Sequence, residues 1–167
     1  MKQNLLSIIF GLIIVTATAQ QSCKCCSDDH RAFDFWEGTW TVTNPDGAIA
    51  GYSTITKIQN NCIIDENWKS ASPGYTGTSH NFYNSKLDRW EQLWIDNQGG
   101  FLKLYGNRKG NQMILRSDAS QNKNGNNFYQ QISWTDNDDG TVRQLWEIIT
   151  ENEETKILFD GLYKKNN

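Results

Sequence analysis

The chain has 167 residues, with 16 Lys and Arg against 19 Asp and Glu, for a net charge of −3. That balance supplies no basic stripe of the kind nucleic acid or anionic lipid requires, so neither is expected as a partner. Once a leader is set aside, the length suits one domain with its own core and leaves little room for a second.

The chain opens with Lys2, an apolar run from Leu5 to Val15, and the small-residue stretch Thr16-Ala17-Thr18-Ala19. This order reads as a secretory signal peptide, residues 1–19, cleaved after Ala19. A retained membrane anchor is the poorer reading, because the run falls well short of the roughly 20 apolar residues that span a bilayer. Lipidation at Cys23 is disfavoured, since Gln20-Gln21-Ser22 supplies only the Ser of a lipoprotein lead-in. The protein is therefore expected to be periplasmic or extracellular, and off the membrane after cleavage.

Residues 20–32 form a Cys-rich segment with Cys23, Cys25 and Cys26; the fourth cysteine is Cys62. Export permits disulfides. A bridge from the cluster to Cys62 would tie this segment to the domain and stabilise it by a few kcal/mol. The alternative, a thiolate metal site on Cys-Lys-Cys-Cys, has only His30 nearby as a further ligand, so no metal is expected.

From residue 33 to 167, turn signals recur at short intervals: Asn44-Pro45-Asp46-Gly47, Asn60-Asn61, Ser72-Pro73-Gly74, Asn84 to Asp88, Asn97 to Gly100, Asn107 to Asn111, Ser120 to Asn127, Asp136 to Gly140 and Glu151 to Glu154. Between them lie alternating segments rich in Trp, Tyr, Phe, Ile and Thr, as half-buried strands should be. The spacing predicts ten strands, at 38–44, 49–58, 62–69, 76–83, 89–96, 101–106, 112–118, 128–135, 141–149 and 155–163. Connections too short for a crossover helix make an antiparallel meander, and closure into an all-β up-and-down barrel removes its exposed edges. An immunoglobulin-like sandwich is the alternative, without its Cys…Trp…Cys spacing. The shared Gln-Leu-Trp of 92–94 and 144–146 fits two equivalent strands of one barrel.

Catalytic signatures are thin. His30 and His80 are the two histidines, and neither sits beside a Ser or Cys nucleophile in a recognisable arrangement. The sequence shows no phosphate loop and no His-Glu-x-x-His, and Asp136 to Gly140 lacks the distal Glu of a calcium loop, so it reads as a hairpin turn. No cofactor is expected.

The unusual feature is seven Trp, six Tyr and seven Phe, with most Trp residues two positions from a Glu, Gln, Asp or Asn. Side chains alternate across a strand, so Trp90, Gln92, Trp94 and Asp96 share one face. Glu66 pairs with Trp68 in the same way, Ser79 with Asn81 and Tyr83, and Val142 with Gln144, Trp146 and Ile148. A core built for stability alone would use Val, Ile and Leu, because buried polar groups cost free energy unless hydrogen-bonded. The mixture points to a lined ligand cavity. The alternative is a solid core in which each indole N–H is capped by a neighbouring amide.

The segment Phe33-Asp34-Phe35-Trp36-Glu37-Gly38-Thr39-Trp40 resembles a family of exported bacterial proteins grouped as a domain of unknown function, with the start Asp-Phe-Trp-x-Gly-x-Trp. The resemblance extends through Cys62 to Trp68, Asn81-Phe82-Tyr83, Trp90 to Asp96, Gly99-Gly100, Arg143 to Glu147 and Phe159 to Tyr163. Gly38-Thr39-Trp40 is also similar to the opening strand of lipocalin, fatty-acid-binding and nitrobindin-like (calycin) barrels, which implies that Trp40 plugs one end of a lipocalin-like barrel. The family resemblance favours Cys25 or Cys26 as the partner of Cys62; we take the Cys26–Cys62 pairing. Haem is disfavoured, because nitrobindin-like barrels use a late His and this chain has none after His80.

The expectation is a barrel that binds a small, partly apolar molecule, with Glu66, Trp68, Asn81, Tyr83, Gln92, Trp94, Gln144 and Trp146 as its ligand-binding lining. An enzyme of the same fold would use Glu66 as acid or base, unless an arginine such as Arg143 holds that carboxylate. A filled barrel acting through its surface is the third reading.

Overall fold

The computed structural model describes residues 23–151 and 154–166, and the expected signal peptide lies outside the described residues. Eleven strands form one antiparallel sheet: β1 (Gly38–Thr43), β2 (Ile49–Ile58), β3 (Ile63–Ser70), β4 (Thr76–Asn84), β5 (Arg89–Asp96), β6 (Phe101–Lys109), β7 (Gln112–Arg116), β8 (Ser120–Gln121), β9 (Asn127–Asp136), β10 (Val142–Thr150) and β11 (Lys156–Lys165). Strands β1 to β7 pair in sequence order, β7 pairs with β9, β9 with β10 and β10 with β11. Strand β11 then returns to β1, with Val42 opposite Tyr163. Ten strands thus close into an up-and-down barrel, while the two-residue β8 rides on the start of β9. A closed ring is incompatible with the sandwich alternative.

The predicted spans fall on ten of these strands; the two-residue β8 lies where the turn Ser120 to Asn127 was expected, and the β6–β7 region differs in its bounds. β6 runs on to Lys109 where a turn from Asn107 was expected, and β7 stops at Arg116. The extension is held at its far end by Arg108, whose guanidinium donates to the Ala32 carbonyl at 3.0 Å and to Asp136 at 3.0 Å. Asn107, which donates to the Asp88 carbonyl at 2.8 Å, and Arg108 therefore extend the strand because they have partners on other elements.

One end of the barrel is capped by a buried aromatic cluster. A short helix, α1 (Asp28–Arg31), and a 3₁₀ turn (Asp34–Trp36) lie across it. Phe33 stacks on Trp36 at 5.0 Å between ring centroids, and meets Trp90 and Trp134 edge-on at 5.6 and 5.1 Å. Trp40 is fully buried here, its indole donating to the Trp36 carbonyl at 2.9 Å. Further bonds moor the segment: the Trp90 indole donates to the Asp29 carbonyl at 3.0 Å, and Lys57 pairs with Asp34. Aromatic rings of this size dominate core energetics, so truncating Trp36 or Trp40 to Ala should cost about 3–5 kcal/mol.

The disulfides differ from the pairing we took. Cys62, in the β2–β3 turn, bonds Cys25 with Cα atoms 5.0 Å apart, and Cys26 bonds Cys23. The Cys26–Cys62 pairing is therefore wrong by one residue: adjacent residues of this turn present their Cβ vectors in different directions, and Cys25 is the one aimed at the barrel. With all four sulfurs in disulfides, no thiolate is left for a metal site on Cys-Lys-Cys-Cys. The two bridges should differ in worth, because the first closes a separation of 37 residues and the second only 3. Chain entropy predicts a loss of about 4 kcal/mol for the double variant Cys25→Ser/Cys62→Ser and about 1.5 kcal/mol for Cys23→Ser/Cys26→Ser. Denaturant unfolding of the two variants measures this, and the reverse ranking would contradict the pairing.

Candidate functional site

The other end of the barrel is not filled. Above the aromatic floor lies a cavity of about 330 Å³, open between the β1–β2, β3–β4 and β10–β11 ends of the ring and lined by Glu66, Trp68, Gln92, Trp94, Gln144 and Trp146 among others. That volume lies at the lower end of the range for small-molecule pockets, roughly 300–1,000 Å³. The lumen is therefore not filled by side chains at this end.

Strand alternation places each of these groups. On β3, Ile64, Glu66 and Trp68 point inward, and Asp65, with its carboxylate 3.0 Å from His80 Nδ1, points out. On β5, Trp90, Gln92 and Trp94 point inward, and β10 contributes Val142, Gln144 and Trp146 in the same way. The repeated Gln-Leu-Trp thus sets one amide and one indole at the pocket from each of two walls.

Two glycines make the hollow possible. A Cβ on Gly77 would stand 2.1 Å from the Trp94 ring, and one on Gly51 would stand 2.6 Å from the Trp68 ring. Gly77 is the inward neighbour of Trp68 and Asp96 across the sheet, and Gly51 that of Ser70. Each bare glycine lets an indole lie against the wall instead of projecting across the lumen. Trp146 is fixed differently, by its indole donating to Gln130 at 3.0 Å, and Trp68 meets Phe159 edge-on at 6.0 Å.

At the base of the hollow lies a connected polar chain. Ser53 and Ser79 donate to the two carboxyl oxygens of Glu66 at 3.1 and 2.9 Å. The Asn81 amide donates to Ser79 at 3.0 Å and to the Ile64 carbonyl at 3.0 Å, and Gln92 donates to Asn81 at 2.6 Å. The Ile64 carbonyl can only accept, which fixes the Asn81 amide, and through it the Gln92 amide, in one orientation. With its N–H₂ given to Asn81, the Gln92 side chain keeps its oxygen without a partner among the described residues, and Gln92 belongs to the cavity lining. On the far side, Tyr163 donates to Gln144.

Glu66 is 5 % exposed and has no buried cation beside it. Burial pushes its carboxyl up to about 7, against the lowering effect of the two serine hydroxyls, and Asp65 adds a small push in the same direction. Tyr163 is pushed well above its ordinary value by burial and by the nearby Glu66. Arg143, the arginine that would have neutralised Glu66, instead makes a two-pronged bond to Asp160 at 2.8 and 2.7 Å on the outer face.

Six of the eight expected lining residues reach the cavity, and two do not. Asn81 is fully buried in the wall and acts by holding Gln92 and Ser79. Tyr83 lies at the closed end, edge-on to His30 at 5.1 Å and bonded to Asp88, so it belongs to the floor and not to the site. His80 is on the outer wall, its side chain 54 % exposed, with no route into the lumen. The sequence reading missed Phe159 and Tyr163, which the β11 alternation puts inward, and Tyr75, a loop residue that reaches the rim and bonds Asp96 at 3.2 Å.

Fold and site together define an antiparallel up-and-down barrel with one end packed by aromatic rings and the other opening onto an indole-walled pocket with one carboxyl in its lining. Compared with family models and with curated proteins, the chain matches none of them.

The raised Glu66 carboxyl has a stability consequence. Its folded value of about 7 exceeds the unfolded 4.5, so the folded state holds an extra proton between the two and loses stability as pH rises through that window. Glu66→Gln removes the penalty: it should be more stable than the parent by up to about 3 kcal/mol above pH ~7, a gain that vanishes below pH ~4.5. Thermal unfolding of both proteins across this pH range measures it.

Proposed function

We propose that the protein is an exported small-molecule binding protein of lipocalin-like type, holding a partly apolar ligand inside the barrel. The observation that carries this is the hollow itself: about 330 Å³ left open beside Glu66 and Gln92 in a barrel whose other end is capped by a buried aromatic cluster. Indole faces give contact area at low entropy cost, and the fixed amides and carboxyl orient a polar group. Export is supported by the leader-like start of the sequence and by two disulfides in the N-terminal segment. Among the described residues, no helix is long and apolar enough to cross a membrane.

The test is retention. The protein, incubated with a broad metabolite and lipid extract and analysed by native mass spectrometry, should hold one small molecule per chain and show altered Trp fluorescence. Gly77→Ala, which drives the Trp94 indole into the lumen, should reduce retention by about ten-fold or more while preserving the fold. Silence across the panel would overturn the reading.

A second reading, a barrel enzyme, rests on the Glu66 carboxyl being poised near neutrality inside a cavity, where it can give or take a proton. It is distinguished by the fate of the retained molecule: chemical conversion that disappears in Glu66→Gln supports catalysis, and unchanged release supports binding alone.

A further inference from the structure

We propose that the pocket selects an organic ammonium cation with an apolar body, the cationic head seated against Glu66 and the free Gln92 oxygen and the body between Trp68, Trp94 and Trp146. This rests on the pocket reading above and adds the charge of the ligand.

The first argument is the charge inventory. Among the described residues, Glu66 is the one acidic side chain lining the cavity, and no Lys, Arg or His lines it. The other titratable groups facing Glu66 or packed around it are Tyr163 from β11, held neutral, and Asp65 on its own strand, turned outward to His80. A carboxylate ligand, such as a fatty acid, would bring a second negative charge to this site with no cation to receive it, at a cost of several kcal/mol. An ammonium group supplies the missing counter-charge.

The second argument is the placement of acceptors. Both Glu66 oxygens take one serine hydroxyl each and keep lone pairs in reserve. The Asn81 chain takes the N–H₂ of the Gln92 amide, so the acceptor oxygen is the group that this lining residue keeps for a ligand. The Glu66 carboxyl and the Gln92 amide thus both belong to the lining with acceptor capacity to spare, a set that suits a donor with several N–H groups. The third argument is the wall, since indole faces attract cations through their quadrupole, most strongly where water is excluded.

A cation bound beside Glu66 favours its ionised form, so binding below neutrality must release a proton through the open mouth. Affinity should rise about ten-fold per pH unit up to about pH 7 and level off above it.

Three probes share one ring system and differ in charge: naphthylmethylammonium, naphthalenemethanol and naphthoate. Titration calorimetry with the full chain should give the ammonium an affinity about ten-fold or more above the alcohol, and no binding of naphthoate. Near pH ~6, runs in buffers of different ionisation enthalpy should show release of about one proton per ammonium bound. Glu66→Gln should remove the preference for the ammonium over the alcohol. Equal or tighter binding of the alcohol or naphthoate, an absence of proton release, or a preference that survives in Glu66→Gln would overturn the cation assignment while leaving the pocket reading intact. Failure of all three probes to bind would overturn this assignment, and failure of the extract experiment as well would remove the pocket reading.

Discussion

A ring of ten strands is wider than the side chains of its own wall can fill, and this protein resolves the problem at one end only. At the closed end, Phe33 and Trp36 come from outside the ring and add the rings that Trp40, Trp90, Trp134 and Tyr163 lack. At the open end no such segment enters among the described residues, and Gly51 and Gly77 let the indoles of Trp68 and Trp94 fold back onto the wall. Glu66 sits at the boundary where packing stops. Its burial without a cation is the constraint from which the chemistry of the site follows.

The floor depends on the covalent tether. Residues 23–37 contribute few backbone bonds to the barrel, so their order comes from the Cys25–Cys62 bridge, the Lys57–Asp34 pair and the Trp90 and Arg108 contacts. Placing Cys62 in the β2–β3 turn brings the bridge to the end that needs closing. Burial within the lumen is what raises the Glu66 carboxyl.

The strand pattern was legible because turn chemistry and alternation are local properties. Asn, Asp and Gly mark the hairpins, and inward Gln, Glu and Trp stand at period two on β3, β5 and β10. Alternation gives the face of a residue and not its depth along the barrel axis. Asn81 and Tyr83 share a face with Ser79, yet each successive inward position lies about 7 Å further down, and Tyr83 ends among the floor residues. The choice between Cys25 and Cys26 was not legible, since it depends on which way a short turn points its side chains. Nor was the extension of β6, whose Arg108 is held by the distant Ala32 and Asp136. The absence of a partner for Glu66 also required the fold, because Arg143 has the right charge and sits one strand face away, bound to Asp160.

The most direct test is the ionisation of Glu66 itself, followed through its side-chain carboxyl ¹³C shift by NMR on the ligand-free protein. A carboxyl buried at the base of an open-ended hollow, without a cation, should titrate near 7. A midpoint at or below its ordinary value of 4.5 would contradict the account, because it would mean that Glu66 is either solvated or already neutralised by a partner within the barrel.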